Sequence, residues 1–150
     1  MDSKLDITII VPVYNAEQYL CECLDSICAQ TYTGWKCVIV NDGSTDGSQS
    51  IIDEYCEKDN RFRCFIKENE KSASLARWYA LQRVDSEWVM SVDADDAIEP
   101  EFLEKIVQRQ IETGADCVTG WRIGCADGLK GENWRIPLKN LQWVLIRGVK

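Results

Sequence analysis

The chain has 150 residues, 45% apolar and 28% charged, enough for one globular domain with a real core and too apolar for disorder. A formal charge of −8 excludes the broad basic footprint of a nucleic-acid binder, so an anionic ligand has to be held locally, by a few donors or a metal ion. The polar start and the short β-branched run from Ile7 to Val13 do not make a signal-peptide core or a membrane span; the expected location is cytoplasmic, which leaves room for peripheral association with a membrane surface.

Short β-branched runs alternate with helical stripes, the pattern of βαβ units with a parallel sheet and helices on its faces. Strands are predicted near residues 7–13, 36–41, 62–67, 88–92 and 116–122. The first helical stripe comprises Leu20, Cys23, Leu24, Ile27 and Cys28, the second Ile51, Ile52, Tyr55 and Cys56, and the third Leu75, Ala76, Tyr79, Ala80 and Val84. Punctuation is clearest around the fourth helix. Pro100 suits its first position, Glu101 its first turn, Phe102, Leu103, Ile106 and Val107 its buried face, and Gly114 its stop. Beyond it, Gly124 to Trp134 reads as a polar loop, and the apolar stretch after Pro137, with Leu138, Leu141, Val144 and Leu145, as a short helix. The division expected is a core over 1–122 and a loop with a short helix over 123–150. Eight cysteines are scattered through these segments and read mostly as small buried apolar residues; with no His and no C-x-x-C, zinc is not expected.

In an open α/β sheet, ligands gather outside the carboxyl ends of the strands, where strand order reverses. Three such ends carry polar residues: Tyr14-Asn15 after the first strand, Asn41 to Gly47 after the second, and Asp93-Ala94-Asp95-Asp96 after the fourth. Three carboxylates within four residues repel one another unless a cation or donors compensate them. In extended backbone Asp93 and Asp95 share a face and suit a magnesium- or manganese-type ion; the plainer reading is a solvated turn in which Asp96 or a neighbour caps the helix at Pro100. Asn41 to Gly47 lacks the ligand alternation of a calcium loop and is sensible as a strand-to-helix turn capped by Ser44, Thr45 or Asp46. That turn leaves Asp42 unexplained, a carboxylate at the strand end able to accept from the imide N–H of a uracil. Tyr14 is either rim packing or a stacking platform for a nucleobase.

In order, the stretches IIVPVYNAEQYLCECLDSICAQTY, VIVNDGSTDGS, ENEKSASLAR and WVMSVDADDAIEP resemble family 2 glycosyltransferases, from about Ile7 to about Gly120. The resemblance implies a GT-A fold, a Rossmann-like, mostly parallel sheet with helices on both faces. It also implies that Pro12 and Tyr14 line the base pocket, that Asp42 binds uracil, that Asp93 and Asp95 form the DXD pair, and that Arg77 lies near the diphosphate. Asp95 would contact a divalent manganese or magnesium ion, with Asp93 nearer the ribose. Three positions depart from the family pattern: Asn41 replaces an acid, Lys71 stands where glycine is common, and Trp78 replaces the asparagine after the arginine.

The implied chemistry is inverting, metal-dependent transfer of a sugar from a nucleotide-diphosphate donor, a UDP-sugar, to a glycan or lipid-linked acceptor. The family's general base lies well downstream of the DXD, so part of the acceptor half is expected to be missing, the fold being C-terminally truncated. Gly131-Glu132-Asn133-Trp134 is superficially similar to the family's acidic motif but sits close to the DXD and has Asn for the second acid; Glu132 as base is set against an exposed loop charge. The alternative to an enzyme is a truncated nucleotide-sugar-binding module without turnover. A phospho-accepting signalling domain would need a lone Asp after its third strand and a Lys after its fifth, and neither is found.

Overall fold

The computed structural model describes residues 5–125 and 135–147. Its elements in chain order are β1 (Ile7–Val13), α1 (Glu17–Cys28), β2 (Trp35–Asp42), α2 (Ser48–Lys58), β3 (Phe62–Lys67), α3 (Ala73–Leu81), β4 (Trp88–Ser91), α4 (Phe102–Thr113), β5 (Cys117–Cys125) and β6 (Arg135–Arg147). One sheet runs β3-β2-β1-β4-β6-β5; the first four strands are parallel, and β6 is antiparallel to both of its neighbours. Strand order reverses between β1 and β4, which makes that gap the switch point.

The inner strands are buried on both faces, as their near-continuous Val/Ile runs require. Alternate residues of β1 and β2 go opposite ways. Ile9, Val11, Val13, Cys37 and Ile39 face α1, α2 and α4, whereas Ile10, Val38 and Val40 meet Ala76 and Ala80 of α3. Within α1 the stripe Leu20, Cys23, Leu24, Ile27 is buried, and each fully buried leucine or isoleucine contributes roughly 1.5–3 kcal/mol. Cys28 departs from the expectation and is exposed, as are Cys21 and Cys117; Cys23 and Cys37 are the buried thiols, with Cys56 and Cys64 between. Cys28 closes the helix one residue past Ile27, where the chain is already turning to solvent.

α4 ends at Gly114 with a left-handed φ of 63°, as its sequence asks, and Gly114 N–H closes on Gln110 C=O at 2.7 Å. Pro100 lies just outside α4, in a turn closed by Phe102 N–H donating to Glu99 C=O at 2.9 Å.

The short helix expected after Pro137 is instead strand β6, paired with both β4 and β5. Leu138, Leu141, Val144 and Leu145 satisfy helical spacing, but the run of apolar residues from 143 to 146 suits an interior strand equally well. Long-range pairing decides between two periods that the sequence leaves open. Register shifts between Trp121 and Ile123, and past that irregularity Ile123 pairs with Pro137, a residue that cannot donate to a ladder. Among the described residues no helix is long and apolar enough to cross a membrane.

Candidate functional site

β1 forms ladder bonds to β4 only as far as Ile10 opposite Ser91, followed by a bond from Val92 N–H to Ile10 C=O at 2.9 Å. Backbone groups of even-numbered β1 residues point toward β4, so Pro12 lacks its N–H where β4 has already peeled away. The missing donor costs nothing there. That divergence opens the sheet on the β4 side of the β1 tip, while on the β2 side pairing continues to Val13 opposite Asn41.

On the β2 side, Pro12, Val13, Tyr14, Asp42, Lys71, Ser72, Ala73 and Ala76 line a cleft of about 340 Å³. Tyr14 is 51% exposed beside it, so its ring is available to a flat partner rather than used in the core. Asp42 is buried at the tip of β2. Its Oδ1 accepts from Lys67 Nζ at 2.6 Å and from the Glu70 N–H at 3.3 Å. Both of its bonds among the described residues fall on Oδ1, which leaves Oδ2 as an acceptor for an incoming donor. Burial works against the charge of the Lys67 ammonium, but hydrogen bonds to Asp42 and Glu70 outweigh it and raise its pKa. Lys67 and Glu70 were not singled out in the sequence, because nothing local marks a lysine at a strand end as the partner of an aspartate 25 positions earlier.

Backbone geometry shapes this cleft as well. Lys71, at the position where the family favours glycine, adopts φ 54°, the left-handed conformation that glycine takes freely, and its N–H donates to Asn69 Oδ1 at 2.6 Å. Gly43 has φ 71°, and a Cβ there would meet the Asn69 backbone N at 2.9 Å, so the β2–α2 and β3–α3 loops touch through a position closed to side chains. Ser72 caps α3 by accepting from Leu75 N–H at 3.3 Å. Trp78 faces away, 60% exposed on the outer side of α3.

On the β4 side, Asp93, Asp95 and Asp96 bring carboxylate oxygens within 4.8 Å of one another. The extended geometry expected for Asp93 and Asp95 is replaced by a turn, closed by Asp96 N–H donating to Asp93 C=O at 3.0 Å. This turn brings in Asp96, which does not cap α4: the cap residue there is Glu101, without a side-chain cap bond. Arg77 of α3 donates from Nε to Ser91 Oγ at 3.1 Å and from Nη2 to Asp93 Oδ1. The thiol of Cys23 lies beneath the turn, and burial first, then the three carboxylates, push its pKa up.

The loops after β1 and β2 are stitched by reciprocal capping. Glu17 N–H in the first turn of α1 donates to Asp46 Oδ2 at 3.1 Å, and Gly47 N–H at the start of α2 donates to Glu17 Oε2. Ala16 N–H donates to Ser48 Oγ at 2.9 Å, and Thr45 N–H to Asn15 Oδ1 at 2.7 Å. Asp46 thus serves α1 as well as α2, where Ser48 N–H donates to its Oδ1 at 3.0 Å. Asn41 donates to Gln49 Oε1 at 2.6 Å and accepts from Ser44 N–H at 2.9 Å, so the amide that replaces the family's acid holds this turn together.

Of the residues expected in the site, Pro12, Tyr14 and Asp42 share the cleft, while Asp93, Asp95 and Arg77 share the acidic tip. The two groups flank the β1 tip about two strand spacings, or about 10 Å, apart. α3 spans them, lining the cleft with Ala73 and Ala76 and reaching Asp93 with Arg77. Glu132 lies outside the described residues. Three hard carboxylate donors, without His or Cys among them, fit a magnesium- or manganese-type ion.

A doubly wound sheet whose parallel strand tips carry a cleft on one side of β1 and a carboxylate cluster on the other is an arrangement of α/β nucleotide-binding proteins, and comparison with known proteins narrows it. The profile of "Glycosyl transferase family 2" matches residues 8–147. Glycosyltransferase GlyA of Streptococcus pneumoniae is 44% identical over 114 residues, covering 76% of this chain and 16% of the relative; GlyG of the same organism is 37% identical over 114 residues, covering 76% and 38%. The chain therefore spans well under half the length of these relatives. Among solved structures, Staphylococcus aureus TarS 1-349 in complex with UDP superposes with a TM-score of 0.71 at 31% identity, covering 75% of this chain and 34% of that one. The mannosyltransferase PcManGT from Pyrobaculum calidifontis, in complex with GDP-Man and Mn2+, gives 0.70 at 25% identity, covering 77% and 35%. The fold is that of the GT-A glycosyltransferases. The chain belongs to glycosyl transferase family 2.

Proposed function

We propose that this chain forms the donor half of an inverting, metal-dependent glycosyltransferase that takes its sugar from a UDP-sugar and passes it to a glycan or lipid-linked acceptor. The observation that carries the reading is the pairing, on either side of the β1 tip, of a cleft with an aromatic and a carboxylate and a tip with three carboxylates, bridged by α3. Tyr14 offers a face for the base, and Asp42 Oδ2 an acceptor for its imide N–H. The Asp95 and Asp96 carboxylates, with Asp93 held by Arg77, would hold a divalent cation against the diphosphate. Held there, that cation would act as a Lewis acid for the departing nucleoside diphosphate. An acceptor hydroxyl oxygen attacks the anomeric carbon from the face opposite the phosphate, its proton passes to a general base downstream of the DXD pair, the carbon–oxygen bond to phosphate breaks, and UDP leaves with the electron pair. The TarS complex with UDP and the Mn2+ of the PcManGT complex support the donor and the metal by likeness.

Calorimetric titration with UDP, with and without manganese, tests the reading, with GDP as competitor. Tighter binding with manganese, lost in Asp95→Ala, is expected; equal affinity with and without the ion, or with and without Asp95, sinks it. A UDP-release assay with UDP-sugars and glycan acceptors then separates transfer from binding alone.

A further inference from the structure

Between the end of β4 and the start of α4, the segment Val92 to Glu101 is neither helix nor strand, so its backbone groups need partners from elsewhere. α1 and the turn that ends it supply them along one stripe, at positions 23, 26, 30 and 31. The Cys23 thiol donates to Asp93 C=O at 3.5 Å. Ser26 Oγ accepts from Ile98 N–H at 3.1 Å while donating to Cys23 C=O at 2.6 Å. Gln30 is 5% exposed and uses both ends of its amide. Its Nε2 donates to Glu99 C=O at 2.7 Å and to Ser26 C=O at 3.0 Å, and its Oε1 accepts from Leu103 N–H at 3.0 Å. Thr31 N–H donates to Pro100 C=O at 2.9 Å.

Gln30 therefore caps α4 from another element, since α4 has no cap bond of its own. It also pins the loop three residues after Asp96. These ties reach backbone rather than side chains, so they fix where the loop runs whatever its sequence. The same helix begins at Glu17, three residues after Tyr14 of the cleft, and its N-terminus is locked to the β2–α2 loop through Glu17 and Asp46. α1 is a strut between the two halves of the site.

We propose that Ser26 and Gln30 are positioning residues that hold the Asp93–Asp96 turn in its cation-binding geometry. This rests on the metal-site reading above. Direct partners of metal ligands are worth about 10–100-fold in metal affinity, and Ser26 and Gln30, which bond residues 98, 99 and 103, act one step further out, at the lower end of that range. A loop held only by packing keeps its fold but not the sub-ångström convergence of three like charges.

The test uses the whole chain, with UDP and Mn2+ as probes, and measures UDP affinity with and without the ion alongside thermal unfolding. Gln30→Met and Ser26→Ala are each expected to reduce the manganese-dependent gain in UDP affinity about tenfold. Metal-free UDP binding stays within about twofold of wild type, because the cleft residues are not touched by these ties. Ser26→Thr keeps the hydroxyl and retains the gain. Should Gln30→Met not fold, Ser26→Ala decides. Folded variants that lose thermal stability but keep the full manganese-dependent gain overturn the inference, leaving a purely structural role. A wild-type chain without any such gain ends the parent reading, and this one with it.

Discussion

Arg77 and Asp93 form an ion pair between α3 and the tip of β4, with the arginine Nε simultaneously on the Ser91 hydroxyl. Each side chain is about one-third exposed, at 33% and 37%, so the pair contributes about 1 kcal/mol or less to stability. Its larger effect is directional. Arg77→Met is expected to unfold only slightly earlier in urea yet to weaken UDP binding in manganese about tenfold. Arg77→Lys restores charge but not the two-pronged geometry, and recovers only part of that loss. Wild-type affinity in Arg77→Met would remove Arg77 from the site.

The Asp42–Lys67 pair is different, being almost fully enclosed, with side chains 6% and 10% exposed. Lys67 keeps a second partner in Glu70 Oε2 at 2.7 Å, so Asp42→Asn is expected to cost about 1.5–3 kcal/mol, the worth of one enclosed hydrogen bond to a charged group. Asp42→Asn combined with Lys67→Met recovers most of that stability without recovering UDP binding. Urea denaturation and titration on the same samples separate the two effects; a double variant that binds UDP normally would remove Asp42 from base recognition.

Acid should loosen the reciprocal caps. Desolvation pushes the Asp46 carboxyl up, but bonds from the Ser48 hydroxyl and N–H and from Glu17 N–H more than reverse this, leaving its pKa below 3.8. A depressed folded-state pKa means stability that is present above pH 3.8 and lost as pH falls through the lower, folded value. Melting temperature should therefore drop less between pH 5 and pH 2 in Asp46→Asn than in wild type. Parallel curves for the two proteins would contradict this.

Lys71 sits at φ 54°, a conformation that costs a side-chain-bearing residue about 1 kcal/mol. Lys71→Gly is expected to match or slightly exceed wild-type stability, and Lys71→Ala, which keeps the Cβ, not to. As Lys71 also lines the cleft, the glycine variant should bind UDP more weakly at low salt, and the difference should shrink as salt rises. A salt-independent difference would argue for shape rather than charge.

Local pattern was enough to delimit β1 and β3, whose bounds 7–13 and 62–67 coincide with those expected from short β-branched runs, and to stop α4 at Gly114. It failed where a period fits two structures: the residues of β6 satisfy helix and interior strand alike, and only pairing with β4 and β5 separates them. In the site, the chemistry-bearing residues were legible because strand ends in such sheets converge. Their supports were not. Lys67 under Asp42, and Gln30 and Ser26 behind the acidic turn, are contacts across 25 to 73 positions, set by topology rather than by neighbours in the chain.

The mutual capping of α1 and α2 has a temporal side. Glu17 and Ala16 find their partners at Asp46 and Ser48, about thirty residues later in the chain. A chain emerging amino end first exposes its first helix before that helix can be closed off, and the groups that steady its far end, around Ile98 to Leu103, emerge later still. The Asp93–Asp96 turn thus has its neighbouring loop tied down by α1 only once more than a hundred residues are free to fold.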